Sequence, residues 1–433
     1  MSGERVDTTG DYKWVVLGLL TLVYTFNFID RQILVILSEP IKAELGLSDT
    51  QLGLLTGLAF AALYVTLGIP IARFADTNNR KNVVAVSLAV WSGMTAISGS
   101  VTSFFQLFLA RVGVGIGEAG GSPPAHSIIS DYFPPKKRAT ALSIYSTGIY
   151  FGILLGYVIG GIIAKYYGWR VAFYSIGIPG VLFALVIYYF VKEPLKGQSD
   201  PEGEVVDTPP LGEVISSLLS KKTFWLVGLG AGFNTFGTYG VGNFLPSFLI
   251  RVHDVDIATA GLVLGGATGI GGMIGTFFGG YMADRLQHKD KGWYLWISVL
   301  GGFFNIIPSA LLFFSGHAKL AMAMTFFTST FTAFYMGPSL AVCHSLVNAK
   351  MRAFTSSIFF FILNLIGLGL GPLTIGLLSD YFEPSYGNLS LRYAFCITIA
   401  TGLISSILFY MASGTYEDDL AVANDSAGVF RIN

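Results

Sequence analysis

An acid and a base, Asp30 and Arg31, stand side by side in "YTFNFIDRQILVIL" (24–37), a stretch otherwise written for lipid. A second apolar stretch, "RVGVGIGEAGG" (111–121), opens on Arg111 and sets Glu118 among glycines. Ionisable groups inside apolar helices are costly, and they mark substrate pathways, proton relays or paired charges. Arg111 is a permanent cation, which suits an anionic group such as phosphate or carboxylate. Asp30 and Glu118 are acids that can carry a proton when desolvated. On a helix Arg111, Gly115 and Glu118 fall at i, i+4 and i+7, on one face, and Asn27 and Arg31 share another stripe at i and i+4. The same charges can equally serve as a buried lock between two helices.

These residues need elements that hold them in a bilayer. The chain has 433 residues, 53% hydrophobic and 12% charged, and a mean hydropathy of +0.63. Soluble domains carry about 25% charged residues, so the composition points to the bilayer as solvent. Lys+Arg and Asp+Glu both number 26, and this balance offers no basic excess for nucleic acid. The two cysteines, Cys343 and Cys396, lie in apolar runs and suggest neither a disulfide framework nor a metal site. No cofactor is expected. The polar first residues lead into a full-length apolar run, read as a retained first span rather than a cleaved leader.

Twelve apolar runs are each long enough to cross as a helix: about 14–37, 50–74, 83–101, 104–128, 139–164, 169–191, 223–250, 258–283, 293–315, 319–346, 353–381 and 391–412. With the N-terminus inside, eighteen Lys and Arg fall in cytoplasmic segments and six in outer ones, a bias that places both termini in the cytoplasm. Asp30 and Arg111 then each lie about seven residues from the outer end of their span, ~10 Å below the surface, and Glu118 lies ~10 Å deeper. The interval 192–222 is polar and rich in Pro, Gly and acids, a linker with an amphipathic helix expected near Leu211–Leu219. The halves repeat in order: "FADTNNRK" (74–81) answers "MADRLQHK" (282–289), "KKRATALSIYSTG" answers "AKMRAFTSSIFFF", and "WRVAF" (169–173) answers "LRYAF" (391–395). The expected division is a six-helix bundle over 1–192, a cytoplasmic linker over 193–222, a second bundle over 223–413 and a tail over 414–433.

A parallel duplication of six-helix units with a cytoplasmic linker resembles the major facilitator superfamily. Its loop signature after span 2 is matched here by Ala75, Asp76, Arg80 and Lys81 of "ARFADTNNRK" (72–81), with Ala72, Thr77 and Asn79 departing from it, and "GYMADR" (280–285) fits its first half better. "GYVIGG" (156–161) has Tyr157 where the antiporter signature has Pro, which weakens an inference to drug-type antiport. More narrowly, "NFIDRQIL", "RVGVGIGEAG" and "NLIGLGLGP" together resemble the Spinster family, whose members carry lysolipids or sphingosine 1-phosphate. The resemblance implies an all-α membrane protein of twelve helices in two pseudo-symmetric bundles, a monomer in the cell (inner) membrane. It also implies that spans 1 and 4 line one cavity, so that Asp30 and Arg111 meet across it and neutralise each other. Glu118 would then lack a cationic partner unless Arg111 swings inward.

The expectation is a secondary transporter, not an enzyme, that moves an amphipathic anion by alternating access with protons as coupling partner. Arg111, Asn27 and Arg31 are candidates for substrate contact, and Glu118 and Asp30 for proton coupling. "FNTFGTYGVGNFLP" (233–246) reads as a broken cavity helix that offers Asn234, Tyr239 and Asn243 to the substrate. Asp76, Arg80, Asp284 and Arg285 read as cytoplasmic gating residues. His126 and His344 read as satisfied interface residues, and "GGATGIGGMIGTFFGG" (265–280) as a close-packing stripe. A small organic acid is the alternative cargo. A non-transporting membrane receptor is a further alternative, and a lipid enzyme is disfavoured because no H-E-x-x-H or G-x-S-x-G motif occurs.

Overall fold

The computed structural model describes residues 10–199, 211–348 and 351–426. Parts of the expected linker (200–210), of the two ends (1–9 and 427–433) and of the 349–350 connection lie outside the described residues. Among the described residues the regular structure is helical, without strands. Contacts divide the chain into two units. The first comprises Met1–Glu204 with Leu245–Gly269, and the second Val205–Phe244 with Ile270–Asn433. Among the described residues, seven helical runs are long and apolar enough to cross a membrane: Tyr12–Ile36, Asp49–Ala75, Pro135–Tyr167, Trp169–Phe190, Ile257–Leu286, Trp293–Phe314 and Phe354–Ala423.

In the first unit, α1 (Tyr12–Ile36) is followed by the short α2 (Ser38–Leu45), which ends at Gly46 in the left-handed conformation. A capping box of Ser48 and Gln51 starts α3 (Asp49–Thr56), and a break at Gly57 separates it from α4 (Leu58–Thr77). Next come α5 (Arg80–Ser98), capped by Asn79, and α6 (Phe104–Glu118), capped by Ser103. The expected fourth span is not one helix. It stops at Glu118 and resumes as α7 (Ser122–Tyr132), because Pro123 and Pro124 can only open a new helix and not continue the old one. Then α8 (Pro135–Tyr167) and α9 (Trp169–Phe190) are divided by Gly168 at φ 84°. At Gly177 of α9 an added Cβ would lie 2.6 Å from the Ser92 carbonyl oxygen on α5. The two backbones therefore touch, as glycine alone allows.

In the second unit the expected linker helix is present as α10 (Leu211–Leu219), and it buries Val214 and Leu218 in a core with Phe224, Val342, Cys343 and Phe359. α11 (Lys222–His253) passes from this unit into the first. It is followed by α12 (Ile257–Leu264) and α13 (Gly271–Leu286), joined by a π-helical stretch at Gly265–Ile270. The remaining elements are α14 (Trp293–Phe314), α15 (Ala318–Thr332), α16 (Met336–Ser345), α17 (Arg352–Leu363), α18 (Gly371–Tyr386) and α19 (Ser390–Ser426). A second π-helical stretch, Asn364–Leu370, joins α17 to α18. The glycine stripe of α12 and α13 is a packing device. Gly261 abuts the Tyr157 carbonyl in the first unit, and Gly275 and Gly279 abut the carbonyls of Thr330 and Phe334 in the second.

Candidate functional site

Five of the expected residues come together in the first unit. α1 supplies Asn27, Asp30 and Arg31, and α6 supplies Arg111 and Glu118. All but Arg31 are buried, and its side chain is 14% exposed. Arg31 Nε donates to Glu118 Oε2 at 2.7 Å, and Nη2 forms an ion pair with the same oxygen at 2.7 Å. Asn27, one turn earlier on the same stripe, lies beside the same carboxylate. The expectation that Glu118 has no cation of its own is therefore corrected. Glu118 sits at the end of α6, where the chain breaks, and that places it within reach of Arg31 from α1.

The expected neutralisation of Asp30 by Arg111 is corrected as well. Both oxygens of Asp30 are buried and accept no hydrogen bond. Arg111 is 2% exposed, and its Nε and Nη1 donate none. Arg111 feels the field of both Glu118 and Asp30 without bonding to either. One turn along α6, Gly115 packs so close to α4 that an added Cβ would lie 2.9 Å from the Phe60 carbonyl oxygen. This packing carries Arg111 toward Phe60, whose ring centre is 5.8 Å from the guanidinium carbon. The hydroxyls of Thr95 and Ser92 on α5 lie beside Asp30 but complete no hydrogen bond. Buried polar groups without partners are uncommon. Here an acid and a cation share that condition in one pocket of charge.

Sequence reasoning missed the aromatic cage. The Arg31 guanidinium carbon lies 5.1 Å from the Phe28 ring centre, 4.6 Å from Phe60 and 5.0 Å from Tyr64, within cation–π range of all three. Phe60 and Tyr64 stack at 5.3 Å. Their i, i+4 spacing was a visible signal, but nothing in the sequence joins them to Arg31 of another helix.

The other candidates sit on other elements. Asn234, Tyr239 and Asn243 belong to the second unit. α11 runs unbroken through Pro246, so the broken cavity helix is corrected. Two of its threonines bond back onto their own helix: the Thr235 hydroxyl donates to the Ala231 carbonyl at 2.7 Å, besides meeting the Tyr335 hydroxyl at 2.8 Å, and the Thr238 hydroxyl donates to the Asn234 carbonyl at 3.0 Å. Arg80 is almost fully buried. It donates from Nε to Glu193 Oε1 at 2.7 Å, from Nη1 to Asp131 and Ser127, and from Nη2 to the Pro194 carbonyl. The side chain of Asp76 lies outside the described residues. Asp284 accepts from the Tyr294 hydroxyl at 2.9 Å, and Arg285 donates to the Tyr281 hydroxyl. His344 meets the Ser356 hydroxyl at 2.6 Å and His126 packs edge-on against Tyr145, as interface residues do.

Elsewhere in the first unit, Arg251 donates to both Glu39 and Asp49. Lys42 also donates to Asp49. Nearby, Lys165 pairs with Asp256 at 2.8 Å, and Glu44 accepts from Trp169 Nε1 and Arg170. The hydrogen bond from Lys165, then that from Thr259, lowers the Asp256 carboxyl from its ordinary value; Trp169, then Arg170, lowers that of Glu44.

Residues 20–365 match the Major Facilitator Superfamily. An MFS-type efflux pump of Mycolicibacterium smegmatis is 34% identical over 419 residues, covering 96% of each chain. The sphingosine-1-phosphate transporter SPNS2 of Danio rerio is 24% identical, over 94% of this chain and 85% of its own. A solved bacterial homologue of the human lysosomal transporter Spinster superposes with a TM-score of 0.87 at 32% identity, over 94% of this chain and 98% of that one.

Proposed function

We propose, from the premise that this chain belongs to the Major Facilitator Superfamily and to its Spinster branch, that it moves an amphipathic anion of lysolipid or sphingoid-phosphate type by alternating access, driven by protons. The chain is an integral membrane protein of the inner membrane. Its twelve spans, with both termini cytoplasmic, are α1, α3 with α4, α5, α6 with α7, α8, α9, α11, α12 with α13, α14, α15 with α16, α17 with α18, and α19.

One observation carries the reading: the buried guanidinium of Arg111 has two nitrogens without hydrogen-bond partners. A permanent cation in the bilayer interior costs several kcal/mol on the order of 3 or more unless something compensates it. An anionic head group would supply the missing bonds, two parallel ones to phosphate or carboxylate. Asp30, equally without bonded partners, is the first proton carrier, and Glu118, held by Arg31, the second. An anion on Arg111 offsets the positive field that reaches Asp30, so occupancy of Arg111 and protonation of Asp30 go together. The sphingosine-1-phosphate relative supports the lipid cargo.

The test is uptake into proteoliposomes of sphingosine 1-phosphate, of lysophosphatidate and of a small dicarboxylate, each with and without a pH gradient. Wild type should carry one or both lipids faster with the gradient, and Arg111→Ala should carry neither while eluting as a folded monomer. Uptake of the dicarboxylate alone would transfer the assignment to the small-acid class. An Arg111→Ala variant that matches wild type would end the head-group argument.

A further inference from the structure

Phe60 touches both arginines of the cluster. Its ring centre is 4.6 Å from the Arg31 guanidinium carbon and 5.8 Å from that of Arg111. The residue is 1% exposed and stacks on Tyr64, so the ring has nowhere else to turn. Glu118 lies in the field of both cations. It accepts from Arg31 through Oε2 alone, and its Oε1 has no hydrogen-bond partner. A carboxylate with an open oxygen beside a guanidinium with open nitrogens would ordinarily close into a bidentate pair. Arg111 does not close onto Glu118.

We infer that Phe60 is the positioning residue that prevents this. Its ring attracts both guanidiniums through the same π-system. Arg31 is thereby kept on Oε2 of Glu118, and Arg111 is kept off Oε1 with its donors open to an incoming anion. Without that ring Arg111 would collapse onto Glu118 and compete with the substrate. This inference rests on the reading of Arg111 as the anion contact, and it names the group that keeps that contact available.

The experiment measures binding of sphingosine 1-phosphate and of lysophosphatidate to purified full-length protein, with position 60 varied two ways. Incorporating mono-, di- and trifluorinated phenylalanine at Phe60 withdraws the ring's charge at nearly constant shape, and affinity should fall stepwise, by about tenfold across the series. Phe60→Leu should weaken binding by at least about tenfold, and Phe60→Tyr should bind as wild type does. Adding Glu118→Gln to Phe60→Leu removes the competing carboxylate, and it should restore most of the lost affinity. A flat fluorination series overturns the inference. So does a Phe60→Leu variant that binds normally, or one whose loss Glu118→Gln does not relieve, since the loss would then be one of packing. Arg111→Ala, run alongside, isolates the parent reading: normal binding by that variant refutes the anion contact itself, whatever position 60 does. Absence of wild-type binding to both lipids refutes both.

Discussion

Arg251 and Asp49, 202 positions apart, meet through two parallel hydrogen bonds of 2.7 Å, Nη1 to Oδ2 and Nη2 to Oδ1. Glu39 takes the remaining edge of the guanidinium at 2.6–2.9 Å, and Asp49 is 1% exposed. Removing the cation leaves a buried acid beside Lys42. Arg251→Ala should cost about 2 kcal/mol, below the range for fully buried pairs because Glu39 still reaches solvent. Arg251→Lys should recover part of this, since an ammonium cannot present the fork. Thermal unfolding in detergent checks both, and an Ala variant as stable as wild type would show the cluster to be energetically idle.

The exposed ion pairs of the first unit set a pH dependence. Carboxyls lowered in the folded state, such as Asp256 and Glu44, contribute stability that is complete above the ordinary carboxylate range, about pH 4. That stability is lost as pH falls through the lowered values. The unfolding temperature should therefore be level above this range and fall below it. Asp256→Asn should flatten the acid flank, by a small amount for a pair this exposed. Superimposable profiles for the variant and wild type would remove these pairs from the account.

The contact of α5 with α9 depends on the absence of one methyl group. A Cβ on Gly177 would press on the backbone of Ser92 and Ala96, and neither can move without shifting a helix. Gly177→Ala should reduce the folded, monodisperse fraction severely. Gly414→Ala, where nothing lies within 4 Å, should leave it unchanged. Chromatography of the two variants side by side decides the matter, and a well-folded Gly177→Ala would mean the helices can part without cost.

Asp30→Asn should make transport insensitive to pH while anion binding persists, because Arg111 remains and Asp30 no longer competes for it. Glu118→Gln should alter the profile less, since Arg31 holds that carboxylate. Uptake measured from acid to neutral pH discriminates them. An Asp30→Asn profile parallel to wild type would pass the coupling role to Glu118.

Much of this was written in the sequence. Spacing placed Asn27 and Arg31 on one stripe, and both reach Glu118. Amphipathic spacing also located α10, with Val214 and Leu218 inward. Composition misled in span 7, where Gly, Thr, Asn and Pro suggested a break. Propensity is local, whereas Thr235 and Thr238 satisfy themselves on their own turns and let the helix continue. The expected pairing of Asp30 with Arg111 rests on equal depth and on a fold whose spans 1 and 4 line one cavity. Depth along a helix says nothing of rotation about it, and the packing of Gly115 on Phe60 decides where Arg111 points. The aromatic cage and the Arg251–Asp49 pair bring together residues that no sequence period links.

The π-helical stretch Asn364–Leu370 stores slack. Each of its hydrogen-bonded turns encloses one residue more than an α-helical turn, so the segment holds a surplus position. Deleting one residue here lets the chain relax into plain α-helix, with α17 and α18 still presenting the same faces to their neighbours. The same deletion within α17 or α18 would rotate everything downstream by about 100°. Variation in chain length among related sequences is therefore expected to concentrate at 364–370 rather than in the helices on either side.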